Sequence, residues 1–171
     1  LDYEFDKIFP GCRIVDIHEF LLEKGLKIEG ISGQHYLYHD PCHSPLKQQE
    51  PLKTVSGLLG GAAVNKSDRC CGESGTLAVA RADISNQVRF RKAEELQADA
   101  LKLRGEESKA PVKLLTSCPS CLQGLQRYQG EVEKLEVDYI VVEMARHLLG
   151  KKWLDNYVKQ ARAGGIERVL L

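Results

Sequence analysis

Six cysteines are the residues of this sequence whose type and spacing promise chemistry. Two stand alone, two are adjacent and precede a glycine, and two are separated by two residues: Cys12, Cys42, Cys70-Cys71-Gly72, Cys118 and Cys121. Six cysteines in 171 residues are too sparse for a disulfide-rich secreted scaffold, and the acidic first ten residues do not form a signal peptide. In a reducing compartment, clustered cysteines usually bind metal or carry out redox chemistry. The sequence thus predicts a cytoplasmic location, with a peripheral position at the inner membrane left open.

The last five cysteines fit a metal centre better than a set of disulfides. Adjacent cysteines bridge each other only with strain, and five thiols cannot all pair. Zinc takes four ligands around one ion, so one of the five thiols would be left over. Two adjacent ligands, Cys70 and Cys71, on one small ion would also require an awkward backbone geometry. An iron–sulfur cluster offers several irons over a wider surface, where neighbouring cysteines reach different irons. These five cysteines are therefore predicted to bind an iron–sulfur cluster. The alternatives are a zinc ion held by four of them and a thiol redox site at Cys118 and Cys121.

Short apolar runs that alternate with helical patterns must position these cysteines. Strands are predicted at 35–39, 62–64, 112–115 and 137–142, and helices at 16–25, 46–59, 76–104, from the last cysteine pair to about 128, 143–149 and 151–162. This order predicts an α/β fold with a short, mostly parallel sheet flanked by helices. In such folds ligands bind beyond the carboxyl ends of the strands. Since each of the three cysteine segments follows a strand, the cysteine loops are predicted to converge there.

Two of the helices carry more detailed expectations. In the helix at 16–25, the apolar spacing predicts that Ile17, Phe20 and Leu21 face the core and that His18 lies at the surface. In the long helix at 76–104, the apolar stripe shifts by about a third of a turn. This shift predicts either a bend near Phe90 or a change of packing partner.

Four residues near the cysteines are candidates for supporting a metal group. His39 and His43 flank Cys42, and either can bind a metal or donate a hydrogen bond to sulfur. The backbone N–H groups around Gly72 can point at sulfur near the start of a helix, which favours negative charge. Ser117 is placed to cap the helix that carries the last cysteine pair.

The rest of the composition narrows the classes of function. The 24 basic and 24 acidic residues cancel, which argues against nucleic-acid binding, and no apolar run approaches the ~18 residues of a membrane-spanning helix. Cys12 precedes the first predicted helix, far from any other cysteine, and is expected to be a partly buried apolar residue rather than a ligand. The chain begins with Leu1, and we expect residues 1–171 to be one domain excised from a longer protein.

The cysteine segments resemble those of the cysteine-rich CCG domain family. This family includes a subunit of heterodisulfide reductase, the iron–sulfur subunit of glycolate oxidase and the C-terminal part of large FAD-linked oxidases. The resemblance covers about residues 14–149, although 46 residues separate Cys71 from Cys118, a longer interval than is usual in the family. The segments that carry it are Tyr38-His39-Asp40-Pro41-Cys42-His43, Arg69-Cys70-Cys71-Gly72 and Ser117-Cys118-Pro119-Ser120-Cys121.

The resemblance implies a [4Fe–4S]-type cluster, in some members a non-cubane cluster held by all five cysteines, and zinc in other copies of the domain. It also implies electron transfer from a flavin, or reduction of a disulfide. The chain is thus expected to be an electron-transfer part of a flavin-dependent oxidoreductase of the hydroxy acid oxidase or dehydrogenase type, with no catalytic residue of its own. FAD would lie on a different domain, and the expected partners are that FAD-binding domain and a ferredoxin-like domain of the same chain or complex.

Overall fold

The computed structural model describes residues 5–29, 34–46, 48–73, 77–105 and 110–164. Four strands and eight α-helices alternate along these residues, with one 3₁₀ turn after α6. In chain order they are α1 (Phe5–Ile8), α2 (Ile17–Glu23), β1 (His35–His39), α3 (Pro51–Leu58), β2 (Val64–Ser67), α4 (Leu77–Ala80), α5 (Ala82–Arg104), β3 (Val112–Thr116), α6 (Pro119–Leu125), the 3₁₀ turn (Gln126–Gly130), β4 (Leu135–Tyr139), α7 (Ile140–Leu149) and α8 (Trp153–Arg162).

The four strands form one sheet in the order β2-β1-β3-β4, and every pair is parallel. The predicted α/β fold with a parallel sheet is therefore confirmed. β3 is buried along its whole length and β1 nearly so, as expected of central strands in a parallel sheet covered on both faces. The register aligns the last residues of the four strands in one row across the carboxyl edge of the sheet: Ser67, His39, Thr116 and Tyr139.

Each face of the sheet is covered by helices and has its own hydrophobic core. On one face, Leu37 and Leu114 pack with Leu96 of α5 and Leu125 of α6. On the other face, the core joins Tyr36, Tyr38 and Leu115 of the strands to residues of α2, α3 and α7. Alternate residues of one strand point to opposite faces, so consecutive residues of β1 enter different cores.

The prediction for the buried face of α2 is correct for Leu21, which packs against a core, and wrong for the rest of the face. Ile17 and Phe20 are exposed, and His18 and Glu19 are buried instead. Two hydrogen-bonding arrangements decide the orientation of the helix. Asp16 accepts the backbone N–H of His18 and contacts its ring Nδ1 at 2.6 Å, while Glu19 accepts the backbone N–H groups of residues 48 and 49. The free energy of satisfying these polar groups therefore outweighs that of burying Ile17 and Phe20, on whose spacing the prediction depended.

The long helix is continuous at Phe90, where a bend or a change of partner was predicted. A break lies earlier, at Arg81 between α4 and α5. The packing partner changes along α5: Ser85 bonds the carbonyl oxygen of Gly72, whereas Leu96 and Ala100 pack against the sheet. Even α5, with 23 residues, is strongly polar, and among the described residues no helix is both long and apolar enough to cross a bilayer.

The last strand ends earlier than predicted. β4 stops at Tyr139, and the apolar residues that follow form the first turn of α7 rather than the end of a strand. In this turn Ile140 is buried in a core, and Glu143 reaches Lys113 of β3. Tertiary contacts therefore override the local preference of the Val-rich run for a strand.

Candidate metal centre

The cysteine loops meet at the carboxyl edge of the sheet, as predicted. Cys42 follows β1, Cys70 and Cys71 follow β2, and Cys118 and Cys121 follow β3. In the sheet, β2 lies on one side of β1 and β3 lies on the other side. The chain connections therefore change direction between β1 and β3. Crevices at such reversal points are where open parallel sheets bind ligands.

Two buried thiols and one buried imidazole form the centre of the site. Cys71 and Cys121 lie with their sulfur atoms 3.4 Å apart, and a ring nitrogen of His39 lies within 4.8 Å of both. The two thiols share a hydrogen bond, which lowers the pKa of Cys71 to about 4 and raises the pKa of Cys121. We call these three residues the buried triad.

The adjacent cysteines Cys70 and Cys71 turn to different partners. Cys71 contacts Cys121, whereas Cys70 lies beside Cys42 and accepts the backbone N–H of Gly72 at 3.4 Å. Burial and the neighbouring Cys71 and Cys42 raise the pKa of Cys70, and the N–H of Gly72 opposes this rise. The backbone N–H predicted to point at sulfur near Gly72 is therefore present. The turn requires glycine, since Gly72 has a φ of +77°.

Cys118 stands at the start of α6, next to Cys121, whose pKa it helps to raise. Here the predicted capping role of Ser117 is wrong. Cys118 itself is the residue before the first turn, its N–H donates to Thr116 Oγ1, and Pro119 begins the helix. The hydroxyl of Ser117 is instead 3.0 Å from that of Tyr38. Ser117 is buried, so its hydroxyl is satisfied by a tyrosine from the neighbouring strand rather than by the helix start.

The outer side of the site opens into a cleft of about 1160 Å³. Cys42 and His43 are exposed and line this cleft, and His43 is not part of the buried triad. Cys12 lines the same cleft, although its position before the first predicted strand did not predict a place at this end of the sheet. It is exposed rather than partly buried, which contradicts the expectation for its environment. Its predicted absence from the ligand set remains a prediction.

Lys92 of α5 is a charged neighbour of the site that the sequence analysis missed. Its side chain is fully buried, donates to Ser67 Oγ at 2.5 Å and to Glu95 at 2.8 Å, and lies within electrostatic range of Cys71. Burial lowers the pKa of Lys92. The available signal was its position one and two helical turns before Leu96 and Ala100 on the buried stripe. A lysine on such a stripe reads as exposed unless a partner for it is known.

The donor set fits a thiophilic metal group. Five thiols converge, and none of the six cysteines is in a disulfide. Both ring nitrogens of the buried His39 lack a hydrogen-bond partner within the described ranges of the chain. Soft thiolate ligands suit zinc and iron–sulfur clusters alike. Among the described residues, only the buried triad brings three ligating atoms within 4.8 Å of one another, and Cys42, Cys70 and Cys118 lie around it. The thiols thus extend over a wider area than one ion needs.

Comparison with known proteins places these features in a family. The family model described as a cysteine-rich domain, CCG, matches residues 36–126, and a domain of unknown function, DUF3400, matches residues 126–171. A curated relative, a subunit of the fumarate reductase (CoM/CoB) of Methanothermobacter marburgensis, is 29% identical over 131 residues. The alignment covers 71% of this chain and 24% of that protein, so the chain spans about a quarter of its relative. No solved structure matches significantly.

The matched region coincides with the site. Residues 36–126 begin inside β1, end just after α6, and contain all five converging cysteines together with His39. They make up more than half of the chain. This protein belongs to the cysteine-rich CCG domain family.

Proposed function

We propose that this chain is an iron–sulfur electron-transfer module of a larger oxidoreductase. In this proposal Cys42, Cys70, Cys71, Cys118 and Cys121 hold the cluster, and the chain has no substrate chemistry of its own. When bound, the cluster would accept and release single electrons at the carboxyl edge of the sheet. The relative named as part of a fumarate reductase supports a redox role for the longer protein.

The convergence of the five thiols is the observation that carries this proposal. Cys70 and Cys71 are adjacent in sequence, yet Cys70 lies beside Cys42 and Cys71 contacts Cys121. One zinc ion would draw both thiols to the same point. Several irons at different positions suit ligands that diverge in this way. The cluster also gives a use to a set of five thiols, one more than zinc takes.

The surrounding protein groups suit an anionic cluster. Gly72 donates a backbone N–H to the Cys70 sulfur, and Lys92 places a buried ammonium group near Cys71. N–H donors and positive charge stabilise thiolates and sulfide. Cys71 and Cys121 are buried, whereas Cys42 borders the open cleft. Cys42 is therefore the side of the site that is open to an electron-transfer partner.

The finer part of the proposal concerns the partners. We assign electron exchange to an FAD-binding domain and a ferredoxin-like domain, in the same chain or complex, as in flavin-dependent oxidation of hydroxy acids. The 171-residue chain alone is then expected to oxidise neither D-lactate nor glycolate with a dye acceptor. Measurable turnover by the isolated chain would contradict this part of the proposal, but it would not bear on the proposal that the chain binds a cluster.

Preparation without oxygen tests the cluster directly. The protein is purified anaerobically or reconstituted with iron and sulfide, and iron, acid-labile sulfide and zinc are measured per chain. We expect a brown protein with iron and sulfide in comparable amounts. Stoichiometric zinc without sulfide, in protein made anaerobically with iron supplied, would contradict the proposal. Oxygen must be excluded, because thiolates freed from a damaged cluster take up zinc.

A zinc-stabilised interaction module is the second candidate. The compactness of the buried triad favours it, because three ligating atoms within 4.8 Å of one another suffice for most of a tetrahedral zinc site. A disulfide reductase centred on Cys118 and Cys121 is less favoured, since Cys121 is buried and hydrogen-bonded to Cys71. Thiol titration of the metal-free protein distinguishes it: a reductase requires a readily oxidised pair at these two positions.

A further inference from the structure

His39 occupies the most constrained position in the site. It is the last residue of β1, and its neighbours in the sheet are Ser67 on β2 and Thr116 on β3. Its side chain lies on the same face as Leu37, the face whose core contains Cys71 and Cys121. Only 1% of the residue is accessible to solvent. The sheet therefore fixes where the imidazole points.

Among the residues that the structure describes, neither ring nitrogen of His39 has a partner at hydrogen-bonding distance, although the imidazole is near enough to Cys71 to help lower the pKa of that thiol. The other fully buried histidine, His18, differs because its Nδ1 contacts Asp16 at 2.6 Å. An unpaired buried polar group costs free energy that folding does not recover, and an imidazole carries at least one N–H in either tautomer. A buried histidine with both nitrogens unpaired thus points to a partner that the described residues do not supply at hydrogen-bonding distance.

The hydroxyl groups beside His39 are already engaged. Ser67 Oγ accepts from Lys92, and Thr116 Oγ1 accepts the N–H of Cys118. A ring nitrogen of His39 lies within 4.8 Å of Cys71 Sγ and Cys121 Sγ. Sulfur is therefore the acceptor that the surroundings offer to the imidazole N–H.

We propose that His39 is a positioning residue that donates a hydrogen bond to a sulfur atom of the metal group held by Cys71 and Cys121. This inference rests on the proposed function. A donor to sulfur withdraws electron density, so it favours the reduced state of the cluster and raises the reduction potential. Direct ligation by His39 is the competing role, but five thiols already provide the soft ligands that the cluster needs.

The experiment compares His39→Leu and His39→Gln with the control His35→Leu in the anaerobically loaded protein. His35 lies at the other end of β1, about 13 Å away along the strand. We expect similar iron and sulfide contents in all four proteins. The midpoint potential should fall in His39→Leu, by an amount equivalent to roughly a tenfold change in the reduction equilibrium. It should stay near the wild-type value in His39→Gln, whose amide still donates, and in His35→Leu.

Spectroscopy separates a hydrogen bond from ligation. We expect the reduced wild-type cluster to show an exchangeable proton coupling that is lost in His39→Leu, without the strong nitrogen coupling of a bound imidazole. A strong nitrogen coupling, or loss of iron from both His39 variants, would show that His39 is a ligand and overturn the proposal. An unchanged potential in His39→Leu would also overturn it.

Two further measurements keep the inference distinct from the proposed function. In metal-free protein, His39→Leu should leave the free energy of unfolding unchanged or higher, because it removes an unpaired polar group. Marked destabilisation would instead indicate a partner within the protein and contradict the inference. If the wild-type chain binds zinc without sulfide, the proposed cluster fails, and ¹⁵N shifts of His39 decide separately: an unligated imidazole supports donation, and a zinc-bound nitrogen contradicts it.

Discussion

The two faces of the sheet each bury a polar cluster, and the clusters differ in whether the protein satisfies them. On the face covered by α5 and α6, His39 has no hydrogen-bond partner in the part of the chain that the structure describes, and the buried thiols Cys71 and Cys121 bond each other without a counter-charge of their own. On the opposite face, the Glu143 carboxylate accepts two short hydrogen bonds from Lys113, of 2.6 and 2.8 Å. Both clusters adjoin the same strands, so the difference lies in their chemistry.

Glu143 is saturated with partners. Besides Lys113, its carboxylate accepts hydrogen bonds from Arg146 at 2.9 Å and Tyr36 at 3.3 Å, and His147 Nε2 lies 3.0 Å away. This arrangement joins β1, β3 and α7 and leaves no donor set for a ligand. The comparison teaches that a buried polar cluster satisfied within the protein stabilises the fold, whereas an unsatisfied one identifies a binding site.

The largest effect is expected from substitutions in the unsatisfied cluster around His39. Cys121→Ser or Cys71→Ser should lose most of the bound iron and sulfide, because each removes a buried thiolate from the centre of the site. The matched control is Cys12→Ser, which alters a thiol on the same cleft and should leave both contents nearly unchanged. Iron and sulfide analysis after anaerobic reconstitution measures the effect. Loss of the cluster in Cys12→Ser, with retention in either of the others, would refute our ligand assignment.

The next largest effect is expected from a substitution in the satisfied cluster around Glu143. Glu143→Gln should lower the free energy of unfolding by about 3–5 kcal/mol, because it removes the buried negative charge that pairs with the Lys113 ammonium. Chemical denaturation of metal-free protein measures the change. The control is Glu136→Gln, since Glu136 lies 3.7 Å from the same ammonium but is more than half exposed; its effect should be under about 1 kcal/mol. Equal effects of the two variants would contradict our account of this cluster.

The acid dependence of stability sharpens the same contrast. Burial alone would raise the pKa of Glu143, but the hydrogen bond and charge of Lys113 outweigh it, and the pKa is lowered. The resulting stability is fully present above the unfolded pKa of about 4.3 and is lost as the pH falls through the lower folded pKa. Glu143→Gln should therefore flatten the fall in stability below about pH 4.3. If the free energy of unfolding of Glu143→Gln falls as steeply at acid pH as that of the wild type, other carboxylates control this fall.

The smallest effect concerns the turn beside Cys70. Gly72 and Gly11 have nearly the same φ, +77° and +78°, but a Cβ on Gly72 would lie 3.2 Å from Arg89 Cγ, whereas one on Gly11 would meet nothing within 4 Å. Both alanine variants share the cost of the left-handed backbone, about 1–2 kcal/mol. Gly72→Ala should be less stable than Gly11→Ala by about 1 kcal/mol, the low end for crowding. Denaturation midpoints compare them, and equal values would mean that Arg89 moves aside freely.

Much of the fold and the location of the site follow from local sequence. The strand at 35–39 has the predicted bounds, the strand at 112–115 lacks only its last residue, and each is followed by a cysteine loop. Because parallel strands share one direction, their carboxyl ends meet at one edge, so the meeting of the cysteines follows from the strand order alone. The resemblance of the three cysteine segments likewise predicted the family to which the chain belongs.

Only the tertiary structure decided which polar residues are buried and whether they are satisfied. Lys113 compensates the charge of Glu143 across 30 residues of sequence, the distant Ser67 accepts a hydrogen bond from Lys92, and the backbone N–H of Gln48 bonds the buried Glu19. Apolar periodicity contains no information about such partners, since the cost of burying a polar group depends on its contacts in three dimensions. For the same reason the sequence placed His39 near Cys42, whereas the packed sheet turns its imidazole towards Cys71 and Cys121.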